Sequence, residues 1–140
     1  MKKLLCLMLI CLYCTTGKAQ LPGMYINNTS SLSLRAIFNS GETSSGVPCT
    51  KVCPSATYTL VSSFSYYNAT TAGFFSCPGV TPDVFNEIKV LRYVGSTPVG
   101  SVYLPLCVAP GTYPVSFPGV PTIFADISII GTDYYVTFRP

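Results

Sequence analysis

The sequence predicts an all-β fold, an antiparallel β-sandwich of about eight short strands, preceded by a cleaved N-terminal signal peptide. Three observations predict it. No window of adequate length repeats apolar residues at helical spacing without a proline, a glycine or a β-branched run interrupting it. Short alternating segments recur instead, set apart by clusters of Pro, Gly, Asn and Ser. The chain then closes on two alternating runs joined by a glycine-containing loop, the pattern of a β-hairpin.

The first element is the leader. Met1, Lys2 and Lys3 give a basic start, Leu4 to Tyr13 an apolar run, and Gly17-Lys18-Ala19 a small-residue end before Gln20. That layout is a secretory signal cut after Ala19. The apolar run falls well short of the roughly 20 residues that span a bilayer as a helix, so no transmembrane segment is expected after cleavage. Cys11 and Cys14 follow Ile10 and Tyr13, not the small residue that lipid attachment requires. The domain boundaries expected are therefore 1–19 for the signal peptide and 20–140 for a single β-sandwich domain.

The strands follow in order. Met24-Tyr25-Ile26 is the first. Ser31 to Phe38 sets Leu32, Leu34, Ala36 and Phe38 on one face. Thr57 to Phe64 alternates Tyr58, Leu60, Ser62 and Phe64 against Thr57, Thr59 and Val61. Gly73 to Cys77 reads as a short strand. Val84 to Val94 is the longest run, with Ile88, Val90 and Val94 on one face and Glu87, Lys89, Leu91 and Tyr93 on the other. Val99 to Leu104 comes after the turn-rich Gly95-Ser-Thr-Pro98. Tyr113 to Phe117 and Thr122 to Ala125 are short pieces between Pro-Gly turns. Asp126 to Ile130, Gly131-Thr132-Asp133 and Tyr134 to Phe138 form the closing hairpin. The prolines, mostly in connections, cap strands and discourage edge pairing. A membrane barrel needs strands of about 9–11 residues in sets of eight or more, and these runs are mostly shorter.

Charge excludes some functions. With Lys2, Lys3 and Lys18 gone, the formal +3 becomes zero: Arg35, Lys51, Lys89, Arg92 and Arg139 balance Glu42, Asp83, Glu87, Asp126 and Asp133. There is no basic cluster to neutralise phosphates, so no nucleic-acid partner is expected. Charged residues make up only 9% of the chain, leaving a neutral surface rich in Ser, Thr, Asn and Gly. Such a surface is less protected against self-association and suits contact with other neutral polymers.

Of the seven cysteines, Cys49, Cys53, Cys77 and Cys107 remain after the leader. An even set in an exported chain predicts two disulfides and an extracellular or periplasmic location. Three connectivities are open. Pro48 and Pro54 bracket Cys49 and Cys53 as a compact loop, which favours Cys49–Cys53 with Cys77–Cys107. The crossed and nested alternatives would tie that loop to later strands. A zinc site needs close thiolate pairs on both halves, and only one close pair exists, without histidine. No metal and no cofactor are expected.

The absence of histidine removes the usual neutral-pH base and the Ser-His and Cys-His nucleophile pairs. Gly41 to Gly46 lacks the lysine and the context of a phosphate loop. Asp83 and Glu87 are the carboxylates closest in sequence, the pair a glycosidase would need. They read better as a solvated strand entrance. Asp133 reads as a turn residue. A non-enzymatic role is expected, with a small hydrolase as the distant alternative.

Binding is the better expectation. Tyr66-Tyr67 lies in a polar segment, and Tyr134-Tyr135 puts one ring on each face of its strand. An outward tyrosine is an amphipathic surface for sugars, peptides or proteins. The plainer reading is that both pairs fill a β-core and its rim, and the lack of Trp weakens a glycan ligand. Asn27, Asn28 and Asn68 match the Asn-x-Ser/Thr pattern but read as turn residues. The expectation is an exported binding or surface-interaction protein with an unknown protein or glycan partner. The alternative is a structural or accessory subunit that pairs through its edge strands.

The leader ending at Ala19, the opening Tyr25-Ile-Asn-Asn-Thr-Ser30 and the Cys- and Pro-rich β body resemble the uncharacterised small secreted β-rich proteins of Bacteroidota-type bacteria. The resemblance implies export and brings no activity and no site residues.

Overall fold

The computed structural model describes residues 21–41, 53–77, 82–107 and 109–140. The leader and Cys49 lie outside the described residues. Nine strands form two facing sheets: β1 (Gly23–Asn28), β2 (Leu34–Gly41), β3 (Cys53–Thr59), β4 (Ser65–Asn68), β5 (Val84–Val94), β6 (Thr97–Pro105), β7 (Gly111–Val115), β8 (Ile123–Ile130) and β9 (Asp133–Arg139). One sheet has the order β4-β1-β9-β8-β7 and the other β3-β2-β5-β6. The fold is the predicted β-sandwich.

Alternation builds the core. Met24 and Ile26 of β1, Leu34, Ala36 and Phe38 of β2, Ile88 and Val90 of β5, and Tyr134, Val136 and Phe138 of β9 all turn inward and are buried. Phe38 sits at the centre of an aromatic cluster with Tyr58, Tyr67, Phe74 and Phe85, its nearest ring being Tyr67 at 4.7 Å. Two hairpins use the same device. Val94 pairs with Thr97 across Gly95-Ser96, and Ile130 with Asp133 across Gly131-Thr132. The first loop residue is a glycine at φ 59° in one and 64° in the other. A two-residue turn matched to strand twist needs that left-handed conformation.

Several sequence expectations are corrected. The sandwich is not wholly antiparallel, because β1 runs parallel to β9 over Gly23–Asn28. Two strands from opposite ends of the chain need no hairpin to join them, so their direction was unconstrained by any turn. The strand expected from Ser31 starts at Leu34, since Asn28 and Ser30 first form a side-chain-capped turn, with Asn28 Nδ2 donating to Leu32 O at 2.7 Å. The strand expected through Phe64 ends at Thr59. There the chain leaves one sheet for the other: Leu60 N bonds Leu34 O, while Val61 O accepts from Asn28 N. The polar segment that holds Tyr66-Tyr67 forms a strand, β4. Among the described residues, Gly73 to Cys77 forms a single bridge, Phe75 with Ser55, in place of a strand. Thr122 to Ala125 and Asp126 to Ile130 are largely one strand, β8.

The expected Cys49–Cys53 and Cys77–Cys107 pairing is overturned. Cys53 bonds Cys77, with Cα atoms 5.7 Å apart. Cys53 opens a strand instead of closing a tight loop, and the 69–77 segment folds back beside it, with Ser76 N donating to Pro54 O. Cys107 is also disulfide-bonded.

Candidate functional site

The two tyrosine pairs divide between core and surface. On β4, Tyr67 turns inward to Phe38 and Tyr58, while Tyr66 turns outward. On β9, Tyr134 is 2% exposed and donates its hydroxyl to Leu106 O at 3.1 Å, while Tyr135 faces out. Burial raises the ionisation of both inward phenols above the ordinary tyrosine value. Tyr67 and Tyr134 are therefore core residues, and the core reading holds for one member of each pair.

Register brings the two outward tyrosines into one row. Tyr25 of β1 lies opposite Tyr66 on one side and Tyr135 on the other. Its ring stands 4.7 Å from each, stacked on Tyr135 at 14° and tilted against Tyr66 at 43°. The spacing follows from the sheet, whose neighbouring strands lie roughly 4.8 Å apart. Phe64, 51% exposed, flanks the row with its edge toward Tyr135 at 6.0 Å. Desolvation within the cluster, with the nearby Tyr25, Asp133 and Tyr66, raises the ionisation of Tyr135. Sequence reading missed Tyr25 and Phe64, because alternation assigns faces within a strand and says nothing of which strands become neighbours.

Polar groups frame the row. Gly23 pairs with both Asn68 and Asp133. A side chain at Gly23 would overlap Asp133 Oδ1 and stand 3.0 Å from the Tyr66 hydroxyl, so the missing Cβ lets both groups converge over the strand. Asn68 Nδ2 reaches the same hydroxyl at 3.4 Å. Two residues along from Tyr25, Asn27 is 7% exposed and its Oδ1 has no hydrogen-bond partner among the described residues. Of the three asparagines read as turn residues, Asn28 and Asn68 each end a strand and cap the turn that follows, Asn28 Oδ1 accepting from Ser30 N. Asn68 Oδ1 accepts from Thr70 N at 2.9 Å. Asn27 is instead a strand residue on the outward side.

Glu87 and Asp126 stand on different sheets. Glu87 accepts from Asn39 Nδ2 at 2.8 Å on the other sheet. Asp126 is held below the usual carboxylate range by Arg139 and then by Thr112. Among the described residues no group of three metal-binding side chains assembles, and no helix is long and apolar enough to cross a membrane. A hollow of ≈ 260 Å³ lies beside Ala69, Thr70, Thr71, Gly73 and Phe75, with no charged lining residue among the described ones.

No protein-family model, curated protein or solved structure matches the chain.

Proposed function

We propose that this chain is an exported, non-enzymatic binding protein that engages its partner through the outward face of its five-stranded sheet. One observation carries the reading: Tyr25, Tyr66, Tyr135 and Phe64 form a continuous aromatic surface on that face, although rings of this size normally bury where they can. Large, half-exposed aromatics in one patch supply contact area at low cost in conformational freedom, as at protein interfaces. The Cys53–Cys77 bridge fits an oxidising compartment, which supports the export reading.

Edge pairing draws less support. Each outer strand carries a feature that discourages an added strand. β4 has four residues, β7 has five with Pro114, β3 carries Pro54, and β6 carries Pro98 and Pro105 beside a register shift.

The test has two parts. Fractionation of the producing cells with intact-mass analysis should recover a soluble species starting at Gln20, in which the four cysteines of 20–140 are oxidised. Retention of that species on the cell envelope, or on a co-purifying partner, should fall at least about tenfold in Phe64→Ser/Tyr66→Ser with unchanged folding, as expected of interface anchors. Equal retention of the variant would reject the surface.

A further inference from the structure

Outward rings elsewhere in the molecule carry a cation from the chain itself. The Arg35 guanidinium lies 4.0 Å over Tyr93, Lys89 Nζ 5.4 Å over Tyr103, and the Arg139 guanidinium 5.2 Å over Phe124. All are within the roughly 6 Å at which a ring attracts a cation. Among the described residues, Tyr25, Tyr66, Tyr135 and Phe64 have no such cation. The charge beside them has the opposite sign. Asp133 opens β9 on the same face as Tyr135, and its carboxylate lies in the notch over Gly23 next to the Tyr66 hydroxyl.

Asp133 has no cation among the described residues, whereas Asp126 on the same sheet is bound to Arg139 at 2.6 Å. Among the described residues, the carboxylate over Gly23 is thus a negative charge without a cation beside electron-rich rings. Such a site repels phosphate and carboxylate and attracts a cation. Among the described residues the sheet ends at β4 beyond Tyr66, so one side of that ring has no neighbouring strand there. The apolar surface continues from the notch along Tyr25 and Tyr135 to Phe64, too broad for a small cation alone. It suits a protein surface, where arginine is enriched among the residues that carry binding energy.

We propose that the Asp133 carboxylate, seated over Gly23, receives an arginine or lysine side chain of a partner protein, whose stem or plane lies against Tyr66. The inference rests on the outward face being the binding surface.

The experiment is a titration of the ¹⁵N-labelled exported protein at low salt, following the amides of Gly23, Tyr25, Tyr66 and Asp133. The probes are acetyl-Gly-Arg-Gly-amide, its lysine and norleucine counterparts, and a neutral N-acetylglucosamine trimer. Arginine and lysine peptides should shift these amides and the norleucine peptide should not. Asp133→Asn or about 0.5 M salt should abolish the shifts, since exposed charge interactions are screened over a few Å there. Equal response to norleucine, or an unchanged response in Asp133→Asn, overturns the cation. A response to the trimer alone assigns the notch to a saccharide, and concentration-dependent shifts without any probe assign it to a second copy; either overturns the proposal, as does no response to any probe. The underlying surface is judged separately. If Phe64→Ser/Tyr66→Ser loses envelope or partner retention while Asp133→Asn keeps it, the cation alone is wrong.

Discussion

Tyr25 and Tyr135 stack face to face, with ring centroids 4.7 Å apart and planes 14° from parallel, across the parallel β1–β9 pair. These strands come from opposite ends of the described chain and no hairpin fixes their register. The stack is thus both a fastening for the sheet and the middle of its exposed aromatic row. The two roles are separable by substitution.

Tyr25→Ala removes both ring contacts of the central tyrosine. Each aromatic pair contributes about 0.5–1.5 kcal/mol beyond its burial, so a loss of about 1–3 kcal/mol is expected. Tyr66→Ser touches only the outer contact and should cost less than about 1 kcal/mol. Urea unfolding of both variants checks the ranking. Equal losses would mean that the stack does not fasten β1.

Gly23→Ala should act on the Asp133 carboxylate more than on the fold. The added methyl would collide with Oδ1 of a side chain that can rotate away, not with backbone. Stability should fall by about 1 kcal/mol, the usual cost of a single substitution, since only side-chain ends must shift. The arginine-peptide response at the notch should weaken. A large loss of stability with the response intact would contradict the placement of Asp133.

The Cys53–Cys77 bridge closes a segment with a sequence separation of 24. Loop-closure entropy predicts a loss of about 3 kcal/mol for Cys53→Ala/Cys77→Ala. Non-reducing peptide mapping should recover the two cysteines in one cross-linked peptide, and thermal unfolding should give the loss. A Cys49–Cys53 peptide would contradict the fold around β3.

Alkaline pH should unfold the protein through its inward phenols. Burial raises the folded-state ionisation of Tyr134 and Tyr67 above the unfolded value of 10.0. Their contribution is complete below pH 10 and is lost progressively as pH rises beyond it, because the unfolded chain ionises first. Asp126 has the opposite sign. Its carboxyl is depressed by Arg139, so its contribution is present above the unfolded value of 3.8 and is lost as pH falls below it. That pair is exposed, so its contribution is small and weakened by salt. Equilibrium unfolding between pH 3 and 11 checks both limbs. Tyr134→Phe should flatten the alkaline one.

Much of the fold was legible, and the reasons differ by element. Val84 to Val94 was read at its true bounds because eleven uninterrupted residues leave little ambiguity. The closing hairpin was legible from Gly131, whose left-handed φ the turn requires. β8 was split at Ala125 because the turn that precedes it, not Asp126, is its boundary. Asp126 simply faces out toward Arg139 and Thr112. β4 was hidden by its length of four residues, too few to show a period. The site was half legible: alternation put one ring of Tyr134-Tyr135 outward without saying which, and Tyr66-Tyr67 stood out only as a pair in a polar segment. The joining of Tyr66 and Tyr135 to Tyr25 depends on β1 lying between β4 and β9, a neighbour relation that no local pattern encodes. The disulfide was misread for the same reason, since closeness along the chain stood in for closeness in space.

The most direct measurement is hydroxyl-radical footprinting of the protein free and on its native envelope or partner. The account predicts protection of Phe64, Tyr66, Tyr25 and Tyr135, with Tyr93 and Tyr103 on the opposite sheet labelled equally in both states. Protection of Tyr93 and Tyr103 with Phe64 and Tyr66 still fully labelled would contradict it.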